Sequence, residues 1–263
     1  MISLNKPNEI KTIGLRIKND LDALELNPLH VLQNVDEDIP PWTLKFPDVN
    51  LNLSNFKKSD TSSEIYKEEF SQIREEHEDF IQIYTDGSKD GNKVGCAAFE
   101  KSFISSTRLP EKASIFTAEV KAIDLALSYI SQHKHTNFII FSDSLSVLTT
   151  IKNHNTDNVL IQNLLLRLHE ILRTKTVKLC WIPSHIGIKG NEKVDNLAKE
   201  ALTLPAVNMK LPNSDFKPAI NNLIKCKWKL IWNECNANKL HEINPDLMPS
   251  PILKLSSDAF KQF

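Results

Sequence analysis

The chain has 263 residues, enough to bury at least one full core. Its 41% hydrophobic and 25% charged residues, with only 6 Gly and 13 Pro, exclude a collagen-like, repetitive or wholly disordered chain. No window approaches the roughly 18 consecutive apolar residues of a membrane span, and Met1 to Asn8 lacks an apolar signal core, so a soluble intracellular protein without a membrane partner is expected. The net charge of −1 hides an uneven distribution: residues 1–79 carry 9 Lys/Arg against 16 Asp/Glu, residues 80–204 carry 15 against 12, and residues 205–263 carry 8 against 5. Cys96, Cys180, Cys226 and Cys235 sit singly in apolar or amphipathic runs, without Cys-x-x-Cys pairs or His at zinc spacing, which favours buried free thiols over a zinc site.

Scattered proline, the polar run Ser59 to Ser63 and the acidic stretch Glu75 to Asp79 mark residues 1–77 as an acidic N-terminal segment and linker. Alternation begins at Phe80 to Thr85, followed by the turn signal Asp86-Gly87-Ser88 and two further strand-like runs, Val94 to Glu100 and Phe103 to Leu109. From Thr117 the period becomes 3.6, with Val120, Ile123, Leu127 and Ile130 on one stripe, predicting a helix that ends near Gln132. Phe138 to Phe141 has the length and apolarity of a strand buried on both faces. Helical patterns over Ser144 to Asn153 and Asp157 to Thr174, a strand over Val177 to Ile182 and a helix over Asn191 to Leu202, capped by Asn191 with Glu192 in its first turn, complete the order βββαβααβα. This order predicts an α/β domain over residues 78–204, built on a mixed five-stranded sheet flanked by helices. Asp215 reads as the cap of a last helix reaching about Ala237, within a C-terminal helical tail over residues 205–263.

Four acids occupy element boundaries or first turns: Asp86 leaves the first strand, Glu119 begins the first helix, Asp143 ends the buried strand and Asp195 lies on the last helix of the domain. Ligands of open α/β sheets gather beyond the ends of central strands, where Asp86 and Asp143 would meet the two helical acids. Four such carboxylates cannot all stay ionised in a dry site without a counter-charge. Oxygen ligands without His or Cys select Mg²⁺ or Mn²⁺, and two such ions about 4 Å apart can activate water on one side of a phosphate and stabilise the leaving oxygen on the other. The chemistry indicated is phosphodiester hydrolysis.

At these residues the chain resembles type I ribonuclease H over about Phe80 to Leu204. Ile83-Tyr84-Thr85-Asp86-Gly87-Ser88, Thr117-Ala118-Glu119 and Phe141-Ser142-Asp143-Ser144 look like three motifs of that family, and the long run from His185-Ile186-Gly187-Ile188-Lys189-Gly190-Asn191-Glu192 through Asp195 to Ala201 looks like its fourth. The resemblance implies a ribonuclease H-like fold, with Asp86, Glu119, Asp143 and Asp195 as ligands of two Mg²⁺ ions, Mn²⁺ being the alternative. It implies an RNA/DNA hybrid as substrate and His185 as a mobile group that assists proton transfer or product release. Histidine is the side chain that exchanges protons near neutral pH, and two glycines follow this one. Gly87, Ser88, Ser114 and Asn191 become candidate nucleic-acid contacts, although each also fits a turn or cap. Glu192 reads as a first-turn helix acid. The Lys/Arg-rich insertion of cellular bacterial members is absent between Asp143 and Trp181, leaving Lys152, Arg167, Arg173 and Lys175 as the bases that could compensate.

The flanks resemble open reading frames of non-LTR retrotransposons: Thr12-Ile13-Gly14-Leu15-Arg16 and Pro40-Pro41-Trp42 look like the stretch after the polymerase, and Asp215 through Lys239-Leu240 like the tail after ribonuclease H. No Tyr-x-Asp-Asp polymerase motif is present, so a polyprotein fragment is expected, with a reverse transcriptase domain as partner in the parent element. Ile220, Leu223, Ile224, Lys227, Leu230 and Ile231 form an amphipathic stripe that fits either packing on the core or contact with a missing domain.

Overall fold

Five parallel and antiparallel pairings join six strands in the order β1-β6-β5-β2-β3-β4. The strands are β1 (Asp48–Asn50), β2 (Ile81–Asp90), β3 (Lys93–Glu100), β4 (Phe103–Leu109), β5 (Asn137–Ser142) and β6 (Thr176–Trp181). The structure, a computed structural model, describes residues 18, 19, 22, 31, 32, 40–56, 60–154 and 156–234. Residues 27–215 form one unit, and residues 1–26 with 216–263 form another. The expected mixed sheet is present, but with six strands instead of five. The additional strand, β1, pairs in parallel with β6 through Asp48 opposite Lys178, Val49 opposite Leu179 and Asn50 opposite Cys180.

Period-two alternation explains why the central strands are apolar throughout. Ile83, Phe138, Ile140, Val177 and Leu179 face one core, which is covered by α2 (Ile115–Gln132), α3 (Leu145–Asn153) and α4 (Val159–Ile171). Tyr84, Ile139, Phe141 and Cys180 face the other, covered by α1 (Ser63–Glu75) and α5 (Lys189–Ala201). The helical stripe Val120, Ile123, Leu127 and Ile130 is buried as its spacing predicts, and α2 ends at Gln132.

Residues 48–75, which the sequence presents as appendage and linker, are part of this unit. Helix α1 is capped by Ser62, whose hydroxyl accepts from the Ile65 N–H, and it buries Tyr66, Phe70 and Ile73. The Phe70 ring meets Phe141 edge-on at 5.1 Å, and the Tyr66 hydroxyl donates to the Phe56 carbonyl at 2.9 Å.

Three local expectations need correction. Asp86-Gly87-Ser88 is not a turn: β2 runs through it, paired with Ala97, Cys96 and Gly95, and the reversal comes at Gly91, whose φ of 55° suits glycine. Pairing with β3 overrides the local turn chemistry. Asn191 is not a cap, because α5 starts at Lys189 and places Asn191 inside its first turn. Asp215 is not the cap of the last helix, α6 (Asn213–Glu234), but lies in its first turn. Residues 235–263, including the expected helix end at Ala237 and Cys235, lie outside the described residues, as does Thr12 to Arg16.

Cys96 and Cys180 are buried as expected, whereas Cys226 is exposed on α6. Burial pushes both buried thiols up to about 12. In the second unit α6 leaves Ile224, Trp228, Leu230 and Ile231 exposed. Among the described residues no helix is long and apolar enough to cross a membrane.

Candidate active site

Parallel pairing of β2 with β5 sets Thr85 opposite Ser142, so the next residues along, Asp86 and Asp143, emerge side by side. Helix α2 brings Glu119 to the same place, and this requires Gly87. A Cβ on Gly87 would lie 2.9 Å from the Glu119 amide nitrogen and 3.0 Å from the Ala118 Cβ, closer than packed atoms allow. Asp86, Glu119 and Asp143 each offer a carboxylate oxygen within 4.8 Å of the others.

Asp86 is 5% exposed and Glu119 8%, and their environment disfavours charge. Burial first, then repulsion from Asp143 and Asp195, pushes the Asp86 carboxyl up to about 8. Burial, with Asp86 and Asp143 adding to it, raises Glu119 well above the ordinary carboxylate range, against an opposing hydrogen bond from the Gly87 amide. Asp143 is raised as well, chiefly by burial, while Asn191 and the nearby His185 pull it the other way. Oε2 of Glu119 is buried without a hydrogen-bond partner. An all-oxygen set of three converging carboxylates, one with an orphaned oxygen, fits a hard divalent cation.

Asp195 lies on α5 outside the set of three, paired with Lys199 at 2.6 Å. It is still close enough to act on Asp86 and Asp143 electrostatically. His185 is exposed, with a φ of 59°, on the loop leading into α5. Gly187 in that loop has a φ of 86°, and its place is hemmed by Lys67 of α1, whose Nζ would lie 3.0 Å from a Cβ there. The first turn of α5 packs on the Tyr84 ring through Gly190, where a Cβ would meet ring carbons at 2.4 Å.

The four candidate nucleic-acid contacts have different surroundings. Gly87 and Ser88 lie within β2. Asn191 is 4% exposed and donates to the Asp143 carboxylate at 3.4 Å, while its own Oδ1 lacks a partner. Ser114 caps α2, its hydroxyl accepting from the Thr117 N–H at 3.1 Å. Glu192 lies in the first turn of α5, as expected. Of the four bases expected to compensate for the missing insertion, Arg167 is paired with Asp124, Arg173 with Glu170, and Lys175 donates to the His133 carbonyl.

Sequence reasoning missed the groups that hold Asp143 in place. The Trp181 indole donates to the Asp143 carbonyl at 3.0 Å, and the Ser142 hydroxyl accepts from the Ser144 amide at 3.2 Å. Nothing local marks Trp181 for this role, since it sits 38 residues away in the chain.

No curated protein matches the chain. The crystal structure of RNase H1 from the halophilic archaeon Halobacterium salinarum is 22% identical, with a TM-score of 0.37, over 46% of this chain and 96% of that one. Residues 78–203, just under half of the chain and the stretch that carries all of the acids above, match the family model of RNase H, so the chain contains a ribonuclease H domain, an enzyme of that type.

Proposed function

We propose that this domain cuts the RNA strand of RNA/DNA hybrids endonucleolytically, with two divalent ions, Mg²⁺ or Mn²⁺, held by Asp86, Glu119, Asp143 and Asp195. The observation that carries the metal site is the convergence of three carboxylates within 4.8 Å around an orphaned Glu119 oxygen. Bound there, divalent ions would supply Lewis acidity to the phosphate and lower the pKa of attacking water. The chain's own groups do the remaining work. Asp86 and Asp143, on adjacent strands, fix the spacing of the ligands, and the Asn191 amide and Trp181 indole hold Asp143 in orientation. His185, on its exposed loop, serves as the group that moves a proton at the attacking water or the leaving oxygen.

Hybrid recognition rests on shape, ribose hydroxyls and phosphates, with Gly87, Ser88, Ser114 and Asn191 as candidate contacts. The flanking resemblances support a retrotransposon origin, with a reverse transcriptase domain as partner in the parent element. The test is incubation of the purified chain with labelled RNA/DNA hybrid, duplex RNA, duplex DNA and single strands, with Mg²⁺, Mn²⁺ or chelator. RNA should be cut only in the hybrid and only with metal, and Asp86→Asn or Asp143→Asn should abolish cutting. Equal cutting of duplex DNA, or wild-type rates in either variant, would remove this reading.

A further inference from the structure

Helix α2 carries Glu119 but has no acidic residue in its own first turn, where the helix dipole favours one. The negative charge comes from a residue 101 positions later in the chain. Asp215, 6% exposed, accepts the Ser114 N–H at 3.1 Å and the Thr117 hydroxyl at 2.6 Å through the same carboxylate oxygen. The Ser114 hydroxyl in turn donates to the Thr117 oxygen at 3.1 Å. The result is a directed chain from Ser114 through Thr117 to the Asp215 carboxylate, closed around the first turn of α2, in which each bond polarises the next. Thr117 is 1% exposed, so solvent cannot replace Asp215 as its acceptor.

Asp215 is brought there by an extended strap that begins after α5. Along it, Ala206 bridges to Arg108 on β4, Val207 donates to the Arg108 carbonyl at 2.9 Å, and the carbonyl of buried Leu211 accepts from Leu32 at 2.7 Å. The loop between β4 and α2 is tied from the other side, where Lys89 donates to the Ala113 carbonyl at 2.8 Å. The start of α2 is therefore clamped at two places, against Gly87 on the sheet and against Asp215 in the first turn of α6 at the end of the strap. Thr117 and Glu119, about 200° apart around the helix, transmit the second clamp to the first.

We propose that Asp215 is a positioning residue of the metal site, holding the first turn of α2 so that the Glu119 carboxylate meets Asp86 and Asp143. This inference rests on the ribonuclease reading. The strap lies beyond the stretch that matches the family model, which ends at residue 203.

The test uses the full chain with Asp215→Ala, Asp215→Asn and, as a stability control away from the strap, Leu53→Ala, at a residue buried in the other core. Mn²⁺ binding is followed by calorimetry without substrate, alongside hybrid cleavage and thermal unfolding. Asp215→Ala should weaken Mn²⁺ binding about tenfold and lower kcat more than KM changes. Asp215→Asn, which keeps one acceptor oxygen for Thr117, should restore most of both. Leu53→Ala should lower Tm while leaving Mn²⁺ affinity unchanged. If Asp215→Ala does not fold, Asp215→Asn carries the comparison, with a smaller loss of Mn²⁺ affinity that Leu53→Ala does not share. A variant at 215 that is destabilised yet binds Mn²⁺ like wild type overturns the inference alone. Wild-type protein that binds no Mn²⁺ overturns the ribonuclease reading together with it.

Discussion

Replacing Asp86 by Asn should stabilise the metal-free protein at neutral pH while removing its activity. Asp86 ordinarily titrates at 3.8 and is pushed up to about 8 in the folded chain. Between those values the folded form holds a proton that the unfolded chain releases, so the penalty from this group is absent below pH 4 and grows as pH rises towards 8. One such proton changes stability by roughly 1 kcal/mol per pH unit, so the carboxyl costs about 2–5 kcal/mol by pH 8 once relaxation of its neighbours is allowed for. The amide of Asp86→Asn keeps the shape and does not titrate. In chelator the variant should match wild type near pH 4 and unfold about 4–20 °C higher at pH 8, taking roughly 2–4 °C for each kcal/mol. Added Mg²⁺ should reverse the order, because wild type then gains a ligand that binds only its folded form. Thermal unfolding from pH 4 to 8.5, with and without metal, checks this. Parallel pH profiles for the two proteins would refute the claim that the cluster is held together against its own charge.

Three further outcomes are expected. His185→Ala should slow hybrid cleavage by about 10²–10⁴-fold or less with an unchanged Mg²⁺ requirement, since His185 ligates no metal in this scheme; full recovery at high Mg²⁺ in a rate titration would contradict the proton-handling role. Gly87→Ala should reduce kcat by ten- to a hundredfold, because its Cβ would force the backbone of Glu119 away from 2.9 Å, and near wild-type kcat would show that α2 tolerates the shift. A fragment over 78–204 loses the buried Val49, Leu53, Tyr66, Phe70 and Ile73, each worth about 1.5–3 kcal/mol, so its urea midpoint should fall well below that of residues 27–215; equal midpoints would make residues 27–77 an appendage after all.

Elements between residues 80 and 202 were legible because their signals are local. Phe138 to Phe141 could only be a strand buried on both faces, and the Val120 to Ile130 stripe fixed both the type of α2 and the face it buries. Three acids converge because parallel neighbours β2 and β5 deliver Asp86 and Asp143 to one edge and α2 brings Glu119 to them, and motif order alone carried that information. What sequence could not show depends on partners far along the chain. β1 is three residues long, too short for any period, and exists only because β6 offers it a ladder. The Asp86-Gly87-Ser88 signal was read through turn chemistry, yet Gly87 serves the approach of α2. Asp215 reads as a cap, but its bonds go to Ser114 and Thr117, 101 and 98 residues earlier.

The two margins of the sheet end differently, and this bears on how the protein behaves at high concentration. On one side β1 covers the β6 edge with a strand too short to template another chain, and its Asp48 puts a charge at the rim. On the other side, among the described residues, the strap reaches only the Arg108 end of β4, while Ile104, 56% exposed, sits further along the same strand. Self-association through backbone pairing would therefore begin at Phe103 to Thr107. A single Lys at Ile104 would be the economical guard against it.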